Sequence, residues 1–297
     1  MASVQDIKRR IRSVRNTRKI TKAMELVASA RLRRAQARIE AMRPYADRMR
    51  ELMVGTAKAS ASLRGLPLLE RREVETVGVL ALTGDRGLAG AFNGQILRRS
   101  FALERELRGE GLDVRWLVSG KKGRSTLSFR RYDTTAAWTG FSDRPAYSDA
   151  QAMAHRLTEL YVEGELDRVV VVYNSFVSPL VQRVTEQEVL PIAEDLFERD
   201  AEREREEAAL SGDFIYEPSP EEILARLVPV YLETELYRAL LESAASEQGA
   251  RMTAMRNASK NAGELIDRLT LEMNRARQAE ITQEILEVVA GADALSA

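Results

Sequence analysis

The sequence predicts an α/β fold in which the N- and C-terminal helices form a long antiparallel coiled coil and an α/β domain is inserted between them. Three observations predict it. Apolar residues recur at alternating three- and four-residue steps at both ends of the chain. Strand-like and helix-like segments alternate in its middle. Aromatic residues make up only 6% of the 297, which suits long paired helices better than one thick core.

The first seam runs through Val4, Ile7, Ile11 and Val14, then Ala28, Leu32, Ala35, Ile39, Met42, Ala46, Met49 and Met53. Arg18, Thr21 and Glu25 hold the intervening positions and leave one polar gap. Ser3 suits an N-cap, with Asp6 in the first turn. A helix from 3 to about 58 would be roughly 80 Å long, with Pro44 interrupting one hydrogen bond.

The second helix starts at Pro220, with Ser219 as cap and Glu222 three residues on. Its seam passes Tyr237, Leu241, Ala244, Gln248, Arg251, Met255, Ala258, Ala262, Leu265, Leu269, Met273 and Ala276, then Ile281, Ile285, Val288 and Val289. A one-sided stripe of this length is not stable alone in water. Two such helices at opposite ends of one chain bury each other's stripe, and the small residues Ala28, Ala35, Ala258 and Ala262 allow close approach.

Between them, Val74–Thr83, Asp113–Ser119, Thr135–Phe141, Arg168–Ser178 and Gln182–Leu190 read as strands. Asn93–Glu110 and Asp149–Gly164 read as helices. The alternation predicts a mainly parallel sheet. An acidic excursion over 194–211 and a short strand at Asp213–Tyr216 complete the insert.

Several chemistries are excluded or weakened. There is no cysteine, so disulfides and thiolate sites are impossible. The single histidine, His155, lies on a helix face and is read as a surface or half-buried residue. No run approaches the 18 apolar residues of a membrane span. The Gly-rich turn 84–94 follows a strand, as phosphate loops do, but does not match GxGxxG. Gly120-Lys121-Lys122-Gly123-Arg124-Ser125-Thr126 has P-loop letters at the wrong spacing. Both are read as tight turns that use glycine for φ > 0. No catalytic, cofactor or metal constellation is found.

The formal net charge of zero hides separate blocks. Residues 1–50 carry fifteen basic and four acidic side chains, and residues 194–213 nine acids and three arginines. The basic block raises a nucleic-acid-binding coiled coil as an alternative. Against it, residues 1–43 contain no aromatic side chain for base stacking.

Three motifs carry a family resemblance. KITKAMELVASAR (19–31), DRGLAG (85–90) followed by Phe92-Asn93, and NRARQAEITQEILEVVAGA (274–292) closely resemble segments of the gamma subunit of F-type ATP synthases. The motifs lie in order at both ends and in the middle, so the resemblance covers the whole chain.

It implies a coiled coil of residues 1–60 and 218–297 around a Rossmann-like domain over 74–217. It also implies the central rotor shaft of the synthase, which couples ion-driven rotation of the membrane c-ring to conformational changes in the catalytic beta subunits. That role serves ATP synthesis and reverse hydrolysis, and regulates ATPase activity and ion flow. The subunit would not itself be an enzyme and would need no cofactor.

Its implied partners are the alpha and beta subunits, the epsilon subunit and the c-ring, at the cytoplasmic face of a bacterial membrane without insertion. Nucleic acid is not among them. By resemblance, Lys19, Lys22, Met24 and Glu25 face the acidic lever loops of beta. Arg277, Gln278, Thr282 and Glu284 resemble residues that meet beta's catch loop and pair with the N-terminal helix. The lack of cysteine departs from the chloroplast form, which switches on a thiol pair. No transit segment precedes the motif-aligned start, which favours a bacterial protein.

Overall fold

A computed structural model of the chain describes residues 3–60, 65–192 and 217–296. The expected acidic excursion and the strand at 213–216 lie outside the described residues. The terminal helices are α1 (Val4–Ala59) and, at the other end, α5 (Pro220–Ser296). Each starts as its sequence dictates. The Asp6 backbone N–H donates to Ser3 Oγ at 3.2 Å, and that of Glu222 to Ser219 Oγ at 3.3 Å. Each helix continues through its internal proline, Pro44 or Pro229.

Tertiary contacts divide the chain into two compact units, 1–28 with 251–297, and 29–250. In the first, α1 and α5 pair through Ile7, Ile11 and Ile266, with Val14, Leu269, Met273 and Ala276 around them. Further along, Arg18 lies beside Gly263 and Glu25 bonds Arg256. Position numbers rise on one helix as they fall on the other, so the pair is antiparallel. The buried seam residue is Ile266, not the expected Leu265. A 3-4 pattern through Ala262 fits either step, and only the partner's placement decides between them.

The second unit holds a five-stranded sheet in the order β3-β2-β1-β4-β5. The strands are β1 (Thr76–Leu82), β2 (Asp113–Ser119), β3 (Thr134–Trp138), β4 (Arg168–Phe176) and β5 (Gln182–Leu190). The first four are parallel, and β5 is antiparallel to β4. Between them run α2 (Phe92–Gly109), α3 (Lys121–Phe129) and α4 (Tyr147–Val162). Sequence periodicity does not predict α3. It buries only Gly123 and Leu127, one four-residue step, which is too little for a pattern.

Strand alternation sorts side chains to two faces. Val77, Val79, Ala81, Val170 and Val172 pack under α2 and α3. Leu80, Leu82, Val169, Val171 and Tyr173 pack under α4 and the inner halves of α1 and α5. Both faces are covered, which explains the near-continuous apolar runs of β1 and β4.

Here α5 departs from the expected one-sided seam. Residues 239–241 and 243–249 are all buried, because helix and sheet surround them. On α1, the seam residues Ile39, Met42 and Ala46 are only half-buried and border a cavity of about 330 Å³.

Leu160 of α4 is fully buried in the face toward the terminal helices. Leu160→Ala should cost about 2–5 kcal/mol of stability, read from the urea midpoint at unchanged slope.

Candidate functional site

Doubly wound sheets take ligands in the crevice outside the carboxyl ends of the strands, where strand order reverses. In this sheet that point lies between β1 and β4. Side chains of α5 occupy it. Ser246 Oγ donates to the Asn174 carbonyl at 2.9 Å, and Ser243 Oγ to that of Leu82 at 3.5 Å. The Glu247 carboxylate lies so close to Gly84 that a Cβ there would stand 2.9 Å from it. Gly84 thus leaves room for the Glu247 carboxylate, which would have to shift to admit a side chain there. In the Gly-rich turn, positive φ falls on Gly90 and, unexpectedly, on Leu88.

The neighbouring turn explains both phosphate-like sequences. Asp85 accepts the backbone N–H of Lys121 at 3.0 Å, of Gly140 at 2.9 Å and of Ser142 at 3.1 Å. Lys121 opens α3, so an internal carboxylate sits where a helix N-terminus would hold a phosphate. Burial pushes the Asp85 carboxyl up, but the bonds from Ser142, Gly140 and Lys121 outweigh it and hold the group below its usual range. Gly120 has φ +95°, and a Cβ on it would stand 2.1 Å from the Thr83 carbonyl oxygen. Gly123 donates its N–H to Thr83 Oγ1 at 2.9 Å and likewise has no room for a side chain. Both glycines serve the packing of β1 against α3.

The resemblance-derived residues separate into two groups. Near the N-terminus, Glu25 is only 7% exposed. It accepts from Lys22 Nζ at 3.0 Å and from Arg256 Nε at 3.1 Å. The Lys22 bond lowers its carboxyl, burial opposes this, and Arg256 lowers it further. Glu25 therefore ties α1 to α5 in this unit. Lys19 and Lys22 are exposed and Met24 is half-buried.

At the other end, Arg277, Gln278, Thr282 and Glu284 are all exposed. The packed seam ends at Ala276, and Thr282 Oγ1 bonds only back to the Gln278 carbonyl among the bonds seen. The expected seam residues Ile281, Ile285, Val288 and Val289 are exposed as well, and the packed seam among the described residues does not reach them. His155 is exposed and lies 3.1 Å from Glu159.

In this sheet the crevice at the carboxyl ends of the strands is filled by side chains of α5 rather than left open for a ligand. The family model for ATP synthase matches residues 3–295. The ATP synthase gamma chain of Rubrobacter xylanophilus is 47% identical over 300 residues, covering 100% of both chains. That of Moorella thermoacetica is 46% identical, covering 99% of this chain and 100% of its own. A solved chain from the central stalk and c-ring of Tetrahymena thermophila mitochondrial ATP synthase is 28% identical with a TM-score of 0.58, covering 81% of this chain and 99% of its own. This chain belongs to the ATP synthase gamma chain family. The nucleic-acid alternative finds no support among these relatives.

Gly120→Ala should cost about 3 kcal/mol or more through strain and overpacking, seen as loss of the soluble folded chain or a much lower urea midpoint. Both depressed carboxylates contribute stability that is complete above their ordinary values, 4.5 for Glu25 and 3.8 for Asp85. It is lost as pH falls through the lower folded values. The stability gap between the natural chain and Asp85→Asn should therefore be wide at about pH 7 and narrower at about pH 3. A gap that ignores pH would show the charge to be uninvolved.

Proposed function

We propose that this chain is the central shaft of a rotary ATP synthase, coupling rotation of a membrane ring to ATP synthesis and hydrolysis in a surrounding head. The end-to-end match to gamma chains carries this reading, since it leaves no part of either chain unaccounted for. Solved relatives come from a central stalk with its c-ring and from a rotor, the latter sharing the fold. As a gamma chain the protein is not itself the catalytic subunit. Catalysis would reside on beta subunits, with alpha, epsilon and the c-ring as further partners. No helix among the described residues is long and apolar enough to cross a membrane. A peripheral position at the cytoplasmic face of a bacterial membrane fits this role.

In this reading residues 1–60 and 218–297 are the shaft and 74–217 its α/β foot. A shaft acts by differential contact: each angle must favour a different conformation of its surroundings by a difference in interaction free energy. The exposed basic residues Lys19 and Lys22, with Met24, form one candidate contact. Glu25 would act by holding the two helices together there. Arg277, Gln278, Thr282 and Glu284 form the second, on a segment exposed on every side.

Reconstitution with alpha and beta subunits should yield a complex that hydrolyses ATP, with this chain at its centre in single-particle images. Failure to assemble would overturn the proposal. In a membrane-reconstituted complex that also holds the ring, Arg277→Ala with Gln278→Ala should lower coupled ATP synthesis more than assembly. Unchanged synthesis would remove both residues from the contact.

A further inference from the structure

The carboxyl edge of the sheet faces α1 as well as α5. Loop 139–146, between β3 and α4, is the element in contact. Asp143 meets Arg31 of α1 at 2.7 Å and Arg86 at 3.5 Å. One turn pair further along α1, Arg38 donates to the Pro145 carbonyl at 3.2 Å. In the loop, Pro145 is buried and Phe141 packs on the main core, while Ser142 and Asp143 are half-buried and Gly140 is exposed, with φ +104°.

Its conformation is set from the DRGL turn. Asp85 Oδ2 accepts the N–H groups of Gly140 and Ser142, while the Asp85 N–H donates to Ser142 Oγ at 2.8 Å. Three bonds from one residue fix Gly140 and Ser142, two of the three positions before Asp143. The other carboxylate oxygen is anchored to the first residue of α3. Asp85 thus joins β1, α3 and the loop into one body that holds Asp143 toward Arg31.

We propose that Asp85 is a positioning residue that shapes loop 139–146 into a grip on α1, so that torque passes between the sheet domain and α1 through Asp143–Arg31 and Arg38–Pro145. The torque clause rests on the shaft reading above; the grip itself does not. The crevice that other doubly wound folds give to a ligand would here be a mechanical socket, with α5 seated in it and α1 held at its rim. The invariably buried chemistry of a ligand site is replaced by charged hydrogen bonds, which keep direction better than apolar packing does.

The test has two arms, both on the full chain. In the first, amide hydrogen exchange is followed at 31–42 and 139–146. Asp85→Ala leaves three N–H donors without their acceptor and should speed exchange in both segments by about tenfold. Arg31→Ala should speed exchange over 31–42 by about two- to fivefold, and the double variant should stay near the roughly tenfold of Asp85→Ala in 31–42 rather than reach the product of the two effects. Faster exchange confined to 139–146, or effects of the two substitutions that simply add, would overturn the grip.

In the second arm, the chain reconstituted with alpha and beta subunits turns a large bead fixed to the α/β domain during ATP hydrolysis. Arg31→Ala and Asp143→Ala should slow the loaded bead while ATP consumption stays normal. Unchanged loaded rotation would remove torque transfer from the proposal. If the natural chain itself fails to turn the bead, the shaft reading fails instead, and the exchange results still decide the grip.

Discussion

A long helix with one apolar stripe has to bury it, and in this chain the only stripe of matching length lies at the opposite end of the sequence. That constraint fixes the architecture. The two termini must run side by side in opposite directions, so everything between them has to leave the pair and return to it. The α/β domain meets this requirement by covering one face of its sheet with α2 and α3 and leaving the other for α4 and the inner halves of the terminal helices. Within the unit of 1–28 with 251–297, Ile7, Ile11 and Ile266 close the pair with very little apolar surface. Polar bonds such as Glu25 to Arg256 set its register.

The same constraint accounts for the silent ligand site. The fold has the strand order, the glycine turns and the helix N-terminus of a phosphate binder. Each anion position is met from within: Asp85 on the amides of α3, and Glu247 against Gly84. Glycines that would admit a pyrophosphate admit a helix here. The fold alone does not decide function; in this chain side chains of α5 fill the carboxyl edge of the sheet.

The sequence made visible whatever repeats. The valine run of β4 and the alternation of β5 mark strands whose ends agree with the structure to within two residues. The terminal seams are legible because dozens of residues share one period. Single-contact features are not legible. A four-residue step cannot announce α3, and Leu265 and Ile266 are equally good seam residues until a partner is placed. The role of Asp85 is spread over amides 36 to 57 positions away, and no local pattern encodes such distances. Burial of 243–249 on all sides was hidden by its own composition, since Ser-Ala-Ala-Ser-Glu-Gln-Gly reads as a polar helix face. Conversely, Ile281 to Val289 keep the period of a buried seam while standing in solvent.

That last segment has a consequence for the life of the free chain. Ile281, Ile285, Leu286, Val288 and Val289 are all about half exposed or more, with Val288 at 72%. Apolar side chains exposed in this way, interleaved with Glu280, Glu284 and Glu287, are adhesive in water. Released from synthesis alone, the chain carries an adhesive end that will join to another copy or to any apolar surface nearby. The same exposed tip makes the free chain prone to self-association.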